Sequence, residues 1–372
     1  TPEEVVAEGS PLHDYVAQIN AAGILDLGAL AEMTNEQKAR VFPLIFEELG
    51  WGDSGLAIAT LASSIPAFTA HTTGDPEIIE RFGSVPGCWL ATQPDRGSDV
   101  VDMDASEVAA NCKQVKGNLV ARKEGDEYVI TGQSSAWVSY APLAQTAMAY
   151  LPCDYGEGFF PEGEQGLHHV GILIPLDLPG VSRGKPLDKH GQRPLPQGEI
   201  FFDDVRVPAK YAIATGADAI PQMMATLTFA NMEMAATFTG VARAAFDHAL
   251  EYVHERKQGG SAIINHQTVQ MRTFNLWQKV EAARALTHRV FNYNYSENGP
   301  HLLGSVTSKT FVTNTAFEVA SEALQLFGGN GLTKEYPIEK IMRDARASMI
   351  EDGENNILSL KGMRWLSRWY QD

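Results

Sequence analysis

The hydrophobic period of this chain changes twice, and those two changes constrain its fold more than any other feature. Up to about Phe82 the apolar residues recur at helical spacing: Leu12, Tyr15, Val16 and Ile19 fall at i, i+3, i+4 and i+7. From about Pro86 to Pro208 the pattern shortens to β-rich runs between turn residues. Tyr128-Val129-Ile130-Thr131-Gly132, His169-Val170-Gly171-Ile172-Leu173-Ile174, Gly198-Glu199-Ile200-Phe201-Phe202 and Asp204-Val205-Arg206-Val207 read as strands. From about Ala217 the helical period returns, in runs over Met223 to Arg256, His266 to Glu297, Lys309 to Phe327 and Ile338 to Trp369. Short strands with no helix between them predict an antiparallel sheet or barrel. Long helices with short connections predict an antiparallel bundle. The expected fold class is α+β, mainly α: an N-terminal helical domain over 1–86, a central antiparallel β-barrel or sheet domain over 87–212, and a C-terminal four-helix bundle over 213–372.

Local signals refine this outline. Val41 to Gly50 reads as a helix closed by its glycine. Asp75-Pro76-Glu77 reads as a helix start, with Asp75 as the cap and Pro76 at the first position. Gly55 to Thr72 is apolar but contains Ser63, Ser64 and Pro66, so it predicts a buried helix of small residues rather than a membrane span. Residues 152–166 read as a surface loop.

Composition excludes several classes of function. The 372 residues carry 46 acidic against 29 basic side chains, a net charge of −17. That balance argues against sequence-independent nucleic-acid binding and against an anionic membrane surface, both of which need a basic footprint. Cys88, Cys112 and Cys153 are odd in number and widely spaced, which gives neither a disulfide framework nor a zinc site. A reducing compartment, the cytoplasm, is expected. Thr1-Pro2-Glu3-Glu4 has neither a basic nor an apolar region of the kind a signal peptide shows. No P-loop, no G-x-G-x-x-G after a strand, no G-x-S-x-G and no H-E-x-x-H occurs. His168 and His169 are adjacent and would point to opposite faces of a strand, so no metal is expected.

Three clusters carry chemistry. The first is Ala91-Thr92-Gln93-Pro94-Asp95-Arg96-Gly97-Ser98-Asp99, where Gly97 allows close approach of a flat ligand and Thr92 and Ser98 offer hydroxyls. The second is Trp137-Val138-Ser139 at the end of a strand. The third is Ala323-Leu324-Gln325-Leu326-Phe327-Gly328-Gly329-Asn330-Gly331, continuing through Glu335-Tyr336-Pro337-Ile338-Glu339-Lys340-Ile341-Met342-Arg343-Asp344-Ala345; its paired glycines end a helix. In order and spacing the three resemble the acyl-CoA dehydrogenase family of flavoproteins, over about Phe46 to Leu360.

That resemblance implies FAD, bound tightly but non-covalently. It implies that Thr92, Gly97 and Ser98 meet the flavin ring and pyrophosphate, that Trp137 lies near the ring and that the Ser139 hydroxyl position bonds it. It implies that Gln325, Gly328 and Gly329 of one subunit contact the FAD of its neighbour, with Arg256 at the pyrophosphate across the same interface, in a homotetramer or dimer. It further implies an acyl-CoA-like substrate and an electron-transfer flavoprotein as electron acceptor.

The family's base is a glutamate in an aromatic-Glu-Gly-Thr segment after Arg-Asp-Ala. Counting from Arg343 without gaps, Asp352 takes the glutamate's place and Gly353 keeps the glycine, while Glu351 replaces the aromatic and Glu354 the threonine. The expected reaction is α,β-dehydrogenation, with Asp352 taking the α-proton and flavin N5 a hydride from the β-carbon. Some relatives carry the base on the first long helix of the bundle, where Glu233 lies in an apolar stretch and is a second candidate. On that helix the family's Asp-x-x-Arg becomes Thr228 and Asn231. An aspartate base, together with Gly259 to Gln267, also resembles the nitroalkane oxidase branch of the superfamily. That branch has an arginine seven residues after its aspartate, where this chain has Ser359, with Lys361 out of step. A flavin-binding protein altered at Asn231, Glu351 and Glu354 so that it no longer turns over is the third reading.

Overall fold

The structure, a computed structural model, describes residues 1–24, 30, 32–102, 116–160 and 168–370. Cys112 and the 161–166 part of the expected loop lie outside the described residues. In chain order the helices and strands are α1 (Pro2–Val6), α2 (Pro11–Ala21), α3 (Asn35–Gly52), α4 (Ser54–Thr73), α5 (Pro76–Phe82), β1 (Gly87–Leu90), β2 (Val120–Glu124), β3 (Glu127–Gln133), β4 (Val138–Ser139), β5 (Thr146–Asp154), β6 (His169–Pro175), β7 (Val181–Arg183), β8 (Gln197–Gly198), β9 (Ile200–Pro208) and β10 (Ala212–Thr215). Helices α6 (Ala219–Glu255), α7 (Gln267–Asn294), α8 (Leu302–Phe327), α9 (Ile338–Ala347) and α10 (Asn355–Trp369) follow. The fold class is α+β and mainly α. No helix among the described residues is long and apolar enough to cross a membrane.

Packing gathers the residues into two compact units. The first is Thr1–Ala31, Ile58–Asp188 and Arg193–Thr226; the second is Glu32–Ala57, Lys189–Gln192 and Leu227–Asp372. The three-way division at 86 and 212 remains a proposal about how the chain is built.

The first unit is organised by β5. Its burial is continuous from Thr146 to Cys153. A strand buried on both faces loses the alternation that marks a half-exposed one, which is why Thr146 to Asp154 is missing from the strands expected by pattern and why its last residues, Pro152 to Asp154, read from the sequence as surface loop instead. Side chains still alternate between two cores. Ala147, Ala149 and Leu151 join Leu90, Ile130, Ile172 and Val205 on one face. Met148 and Tyr150 join Ala70 of α4, Ile78 and Phe82 of α5 and Leu173 on the other. The sheet order is β10-β6-β5-β2-β3-β9-β7, with β1 also on β5. Most pairs are antiparallel, but β1 runs parallel to β5 at Gly87↔Thr146 and β2 runs parallel to it at Ala121↔Cys153. The sheet is therefore mixed, where an antiparallel one was expected: β5 is long enough to accept β1 at its start and β2 at its end. From Ile200 on, the two runs expected at 198–202 and 204–207 are one strand, β9, bent by a bulge at Asp204 (φ +48°), while Gly198 belongs to β8.

In the second unit α3 crosses α6 at two glycines. A Cβ on Gly50 would sit 2.0 Å from the Thr237 carbonyl oxygen, and one on Gly240 would sit 2.0 Å from that of Glu47. Gly50 therefore does not close the helix, as its sequence context suggests; α3 continues to Gly52 and is capped by Asp53. The glycine is there because two backbones touch. Beside the crossing, Glu47 is buried at 3% exposure and accepts from Arg284 Nη2 at 2.9 Å, with Arg243 Nη1 at 3.2 Å. Replacing Gly50 with valine should push the helices apart and destabilise the protein by about 1–3 kcal/mol. Guanidinium unfolding followed by circular dichroism measures this, and an unchanged midpoint would show that the crossing is not tight.

Candidate active site

Within the second unit the residues between α9 and α10 form a tight turn. Asp352 has φ +49° and Gly353 φ +94°. Left-handed backbone costs a non-glycine residue about 1 kcal/mol, so Asp352 must be held there. The Gly353 backbone is one that glycine adopts without strain, and a Cβ there would also approach Leu358 Cδ2 to 2.8 Å. Asn231 Nδ2, from α6, donates to the Asp352 carbonyl at 3.0 Å. Lys309 Nζ, from α8, donates to the Gly353 carbonyl at 2.8 Å and to Asn355 Oδ1 at 2.8 Å. Glu354 caps α10, accepting from the main-chain N–H of Asn356 at 2.9 Å and of Ile357 at 3.3 Å. Glu351 accepts from Gln192 Nε2 at 3.2 Å, and the Gln192 N–H in turn donates to Asp344 Oδ1 at 2.5 Å. The two acidic departures beside Asp352 thus have structural partners.

Ionisable groups crowd this turn. Burial raises the Asp352 carboxyl above the usual aspartate range, and the Lys309 ammonium pulls it back. Burial, then the Asp352 charge, push Glu233 up to about 8. Burial and Asp352 push Glu351 up to about 7, against the Gln192 hydrogen bond and the charges of Lys189 and Lys309. Burial lowers Lys309 to about 8, opposed by Asp352, Glu351 and Glu354. Burial lowers Lys189 to about 8, opposed by Glu351 and Asp344. Burial and the Glu233 charge raise the Tyr295 hydroxyl. The Tyr295 ring has Phe42, Phe229 and Phe291 at 5.8, 6.0 and 6.4 Å between centroids.

Glu233 and Asp352 are both partly accessible, and among the described residues neither carboxylate makes a hydrogen bond. Asn231 Oδ1 and Gln192 Oε1 are buried and make none either. Two carboxylates without bonding partners and with raised pKa form a site equipped to accept and hold protons. The structure thus brings Asp352, Glu233 and Asn231 together. Lys309, Tyr295, Lys189 and Gln192 belong to the same cluster and were not singled out from the sequence. Lys309 had a signal: it falls on the buried stripe Ser305, Lys309, Val312 and Ala316, where a lysine is out of place.

The first unit holds the other cluster. The Thr92 hydroxyl lies 2.6 Å from the Ser135 hydroxyl, to which the Trp137 N–H donates at 3.2 Å. Gln197 Nε2 donates to the Trp137 carbonyl at 3.1 Å and to Ser139 Oγ at 3.2 Å. Thr92, Trp137 and Ser139 are therefore joined through Ser135 and Gln197, while Trp137 stays 63% exposed. Gln93 and Arg96 bond to each other and close a tight turn after Thr92, and Gly97 and Ser98 follow it, Ser98 opening a short 3-10 helix. No atom comes within 4 Å of the space where a Gly97 Cβ would stand. An exposed indole, a hydroxyl pair and an open glycine fit a flat, polar-edged cofactor.

The remaining sequence-predicted residues lie at exposed ends of helices in the second unit. Gly328 (φ +59°) terminates α8 and donates its N–H to the Gln325 carbonyl. No atom stands within 4 Å of a Cβ on Gly328 or on Gly329. Arg256 follows α6, its N–H bonded to the Tyr252 carbonyl at 2.8 Å. Tyr252 stacks on Phe327 at 4.1 Å and accepts from Asn330 Nδ2 at 2.9 Å, which ties this helix end to the glycine turn. The described residues hold no cluster of three metal-ligating side chains.

Comparison with known proteins agrees with this construction. Residues 88–205 match the profile of the acyl-CoA dehydrogenase middle domain, and residues 220–366 that of its C-terminal domain. The chain is 30% identical to the probable acyl-CoA dehydrogenase YngJ of Bacillus subtilis (strain 168), covering 86% of this chain and 80% of the relative. It is 28% identical to a cyclohex-1-ene-1-carbonyl-CoA dehydrogenase of Syntrophus aciditrophicus (strain SB), over 85% of this chain and 73% of that one. Among solved structures, butyryl-CoA dehydrogenase from Megasphaera elsdenii superposes with a TM-score of 0.77 at 26% identity, covering 89% of this chain and 82% of that one. With two profiles spanning most of its length and a site of this composition, the chain belongs to the acyl-CoA dehydrogenase family, as an enzyme acting on CH–CH donors with FAD as its cofactor.

Proposed function

We propose that this enzyme catalyses α,β-dehydrogenation of an acyl-CoA thioester, with Asp352 as the base that removes the α-proton. The observation that carries this is the Asp352 turn: a carboxylate without a hydrogen bond, presented from a left-handed backbone, beside a lysine. A base for a carbon acid must be ionised and within reach of the proton. The Lys309 charge supports ionisation. The enolate that forms needs donors at its oxygen. The main-chain N–H of Asp352 makes no hydrogen bond among the described residues and is available for that purpose.

Acceptance of the β-hydride at flavin N5 is the chemistry that FAD supplies when bound. Thr92, Gly97, Ser98, Trp137 and Ser139 would hold it. Arg256, Gln325, Gly328 and Gly329 would reach the FAD of a neighbouring subunit in a homotetramer or dimer. Electrons would leave to an electron-transfer flavoprotein.

Aspartate is one methylene shorter than glutamate, and Thr228 and Asn231 replace a thioester-binding pair on α6. Asn231 is committed to the catalytic turn instead. The substrate must therefore be seated differently from a straight-chain thioester. A cyclic acyl group is favoured, since two similar relatives are named as cyclohex-1-ene-1-carbonyl-CoA dehydrogenases. The nitroalkane reading ranks lower: the Ser359 hydroxyl is turned onto its own helix at the Asn355 carbonyl, 2.6 Å away, and Lys361 is buried against the Trp365 ring.

Anaerobic titration with a panel of cyclic and linear acyl-CoA thioesters should bleach the flavin. Asp352→Asn should slow bleaching by about 10²–10⁴-fold while keeping the FAD spectrum; an Asp352→Asn protein as fast as the parent would overturn the assignment. A second expectation concerns Glu233, neutral in the folded protein up to about pH 8 and ionised above about pH 4.3 when unfolded. Its raised pKa contributes stability that is complete below the unfolded value and lost as pH rises through the folded one. Glu233→Gln should therefore match the parent's melting temperature near pH 4.5 and exceed it progressively toward pH 8. Thermal scans across that range check the sign, and a constant difference would contradict it.

A further inference from the structure

Lys309 is fully buried in the first half of α8. Burying an ammonium is costly unless its donors are used. Two of its three are spent on the turn, at the Gly353 carbonyl and Asn355 Oδ1, both at 2.8 Å. Asn355 is itself fixed, donating to Thr313 Oγ1 at 3.0 Å and to Asn314 Oδ1 at 3.1 Å. From α6, Asn231 holds the preceding carbonyl, that of Asp352, at 3.0 Å. Consecutive peptide carbonyls are thus held by side chains of two different helices. That holds the peptide planes on either side of Gly353, one of which is the plane that leaves Asp352, and so pins the C-terminal side of the Asp352 backbone.

We propose that Lys309 is the positioning residue for the base: it holds the Asp352–Gly353 turn in its left-handed conformation and places a positive charge beside the Asp352 carboxylate. This rests on the reading of Asp352 as the base. The charged and titratable groups around the turn are Glu233 from α6, Tyr295 after α7, Lys309 from α8, Glu351 and Glu354 from the turn, and Lys189. Of these, Lys309 alone acts on Asp352 in the direction that favours the ionised form. Its hydrogen bonds and its charge are separable by substitution. Methionine removes both, whereas glutamine keeps a donor for the carbonyl and removes the charge.

The test is α-proton exchange in buffered D2O on the FAD-loaded enzyme, using a CoA thioester with no β-hydrogen and following deuterium by mass spectrometry. Such a thioester can lose its α-proton but cannot be oxidised. Lys309→Met should slow exchange by about 100-fold, the scale for a misplaced reacting group. It should also move the onset of activity about one pH unit upward, because the base loses its cationic neighbour. Lys309→Gln should show the same upward shift with a smaller loss of rate. If Lys309→Met fails to fold, judged by flavin content, the glutamine variant decides. Exchange slowed equally at every pH, with the onset unmoved, would reduce Lys309 to a packing role and overturn the proposal, as would parent-like exchange in both variants. Asp352→Asn run alongside separates the layers: if it exchanges as fast as the parent, the base assignment fails, whatever Lys309 does.

Discussion

A buried lysine that bonds a main-chain carbonyl is the interaction on which the second unit's chemistry depends. Without Lys309 the Asp352–Gly353 turn would have to keep its left-handed backbone with Asn231 alone as its clamp. The turn's exit is fixed as well, by the Glu354 cap on α10 and by the Asn355 contacts to Thr313 and Asn314. Such over-determination is what lets a protein keep an unfavourable backbone conformation at a reacting group. The same unit shows a second case of polar burial made tolerable by partners: Glu47 lies between Arg243 and Arg284 beside the glycine crossing of α3 and α6.

The fold was largely legible wherever a period survived in the sequence. The long helices from 219 onward and the strands at 127–133 and 169–175 follow patterns a reader can count. What failed to show was structure whose residues face protein on every side. Strand β5 is buried on both faces, so its run Thr-Ala-Met-Ala-Tyr-Leu carries no alternation. The parallel pairings on either end of β5 depend on its length and on which neighbours reach it, and neither is local information. Gly50 misled for a related reason. Glycine next to a helix end usually marks a stop, and only the approach of Thr237 reveals it as a contact point.

Legibility of the site divides along the same line. Asp352, Glu233 and the glycine turns stood out because motif spacing points to them. Lys189 and Gln192 did not, because they reach the cluster from a four-residue segment, 189–192, that is distant in sequence from the rest of it. Glu351 and Glu354 looked like losses of an aromatic and a hydroxyl. In the structure they are a hydrogen-bonded, half-buried acid and a helix cap, so the substitutions exchange one set of local duties for another.

The balance of charge around the turn separates the two candidate bases. Three carboxylates, Glu233, Glu351 and Asp352, are set among two lysines, Lys189 and Lys309. Glu351 is matched by Gln192 and Lys189, and Asp352 by Lys309. Glu233 has only burial and the Asp352 charge acting on it, and both hold its proton on, up to about pH 8. Neighbouring acids whose surroundings drive their protonation apart take different roles. A carboxyl that is already protonated at neutral pH cannot take the α-proton, so the division favours Asp352 as the base. It leaves Glu233 as a neutral acid beside Tyr295, and a neutral Glu233 adds no repulsion against the ionised form of Asp352, which the Lys309 charge favours.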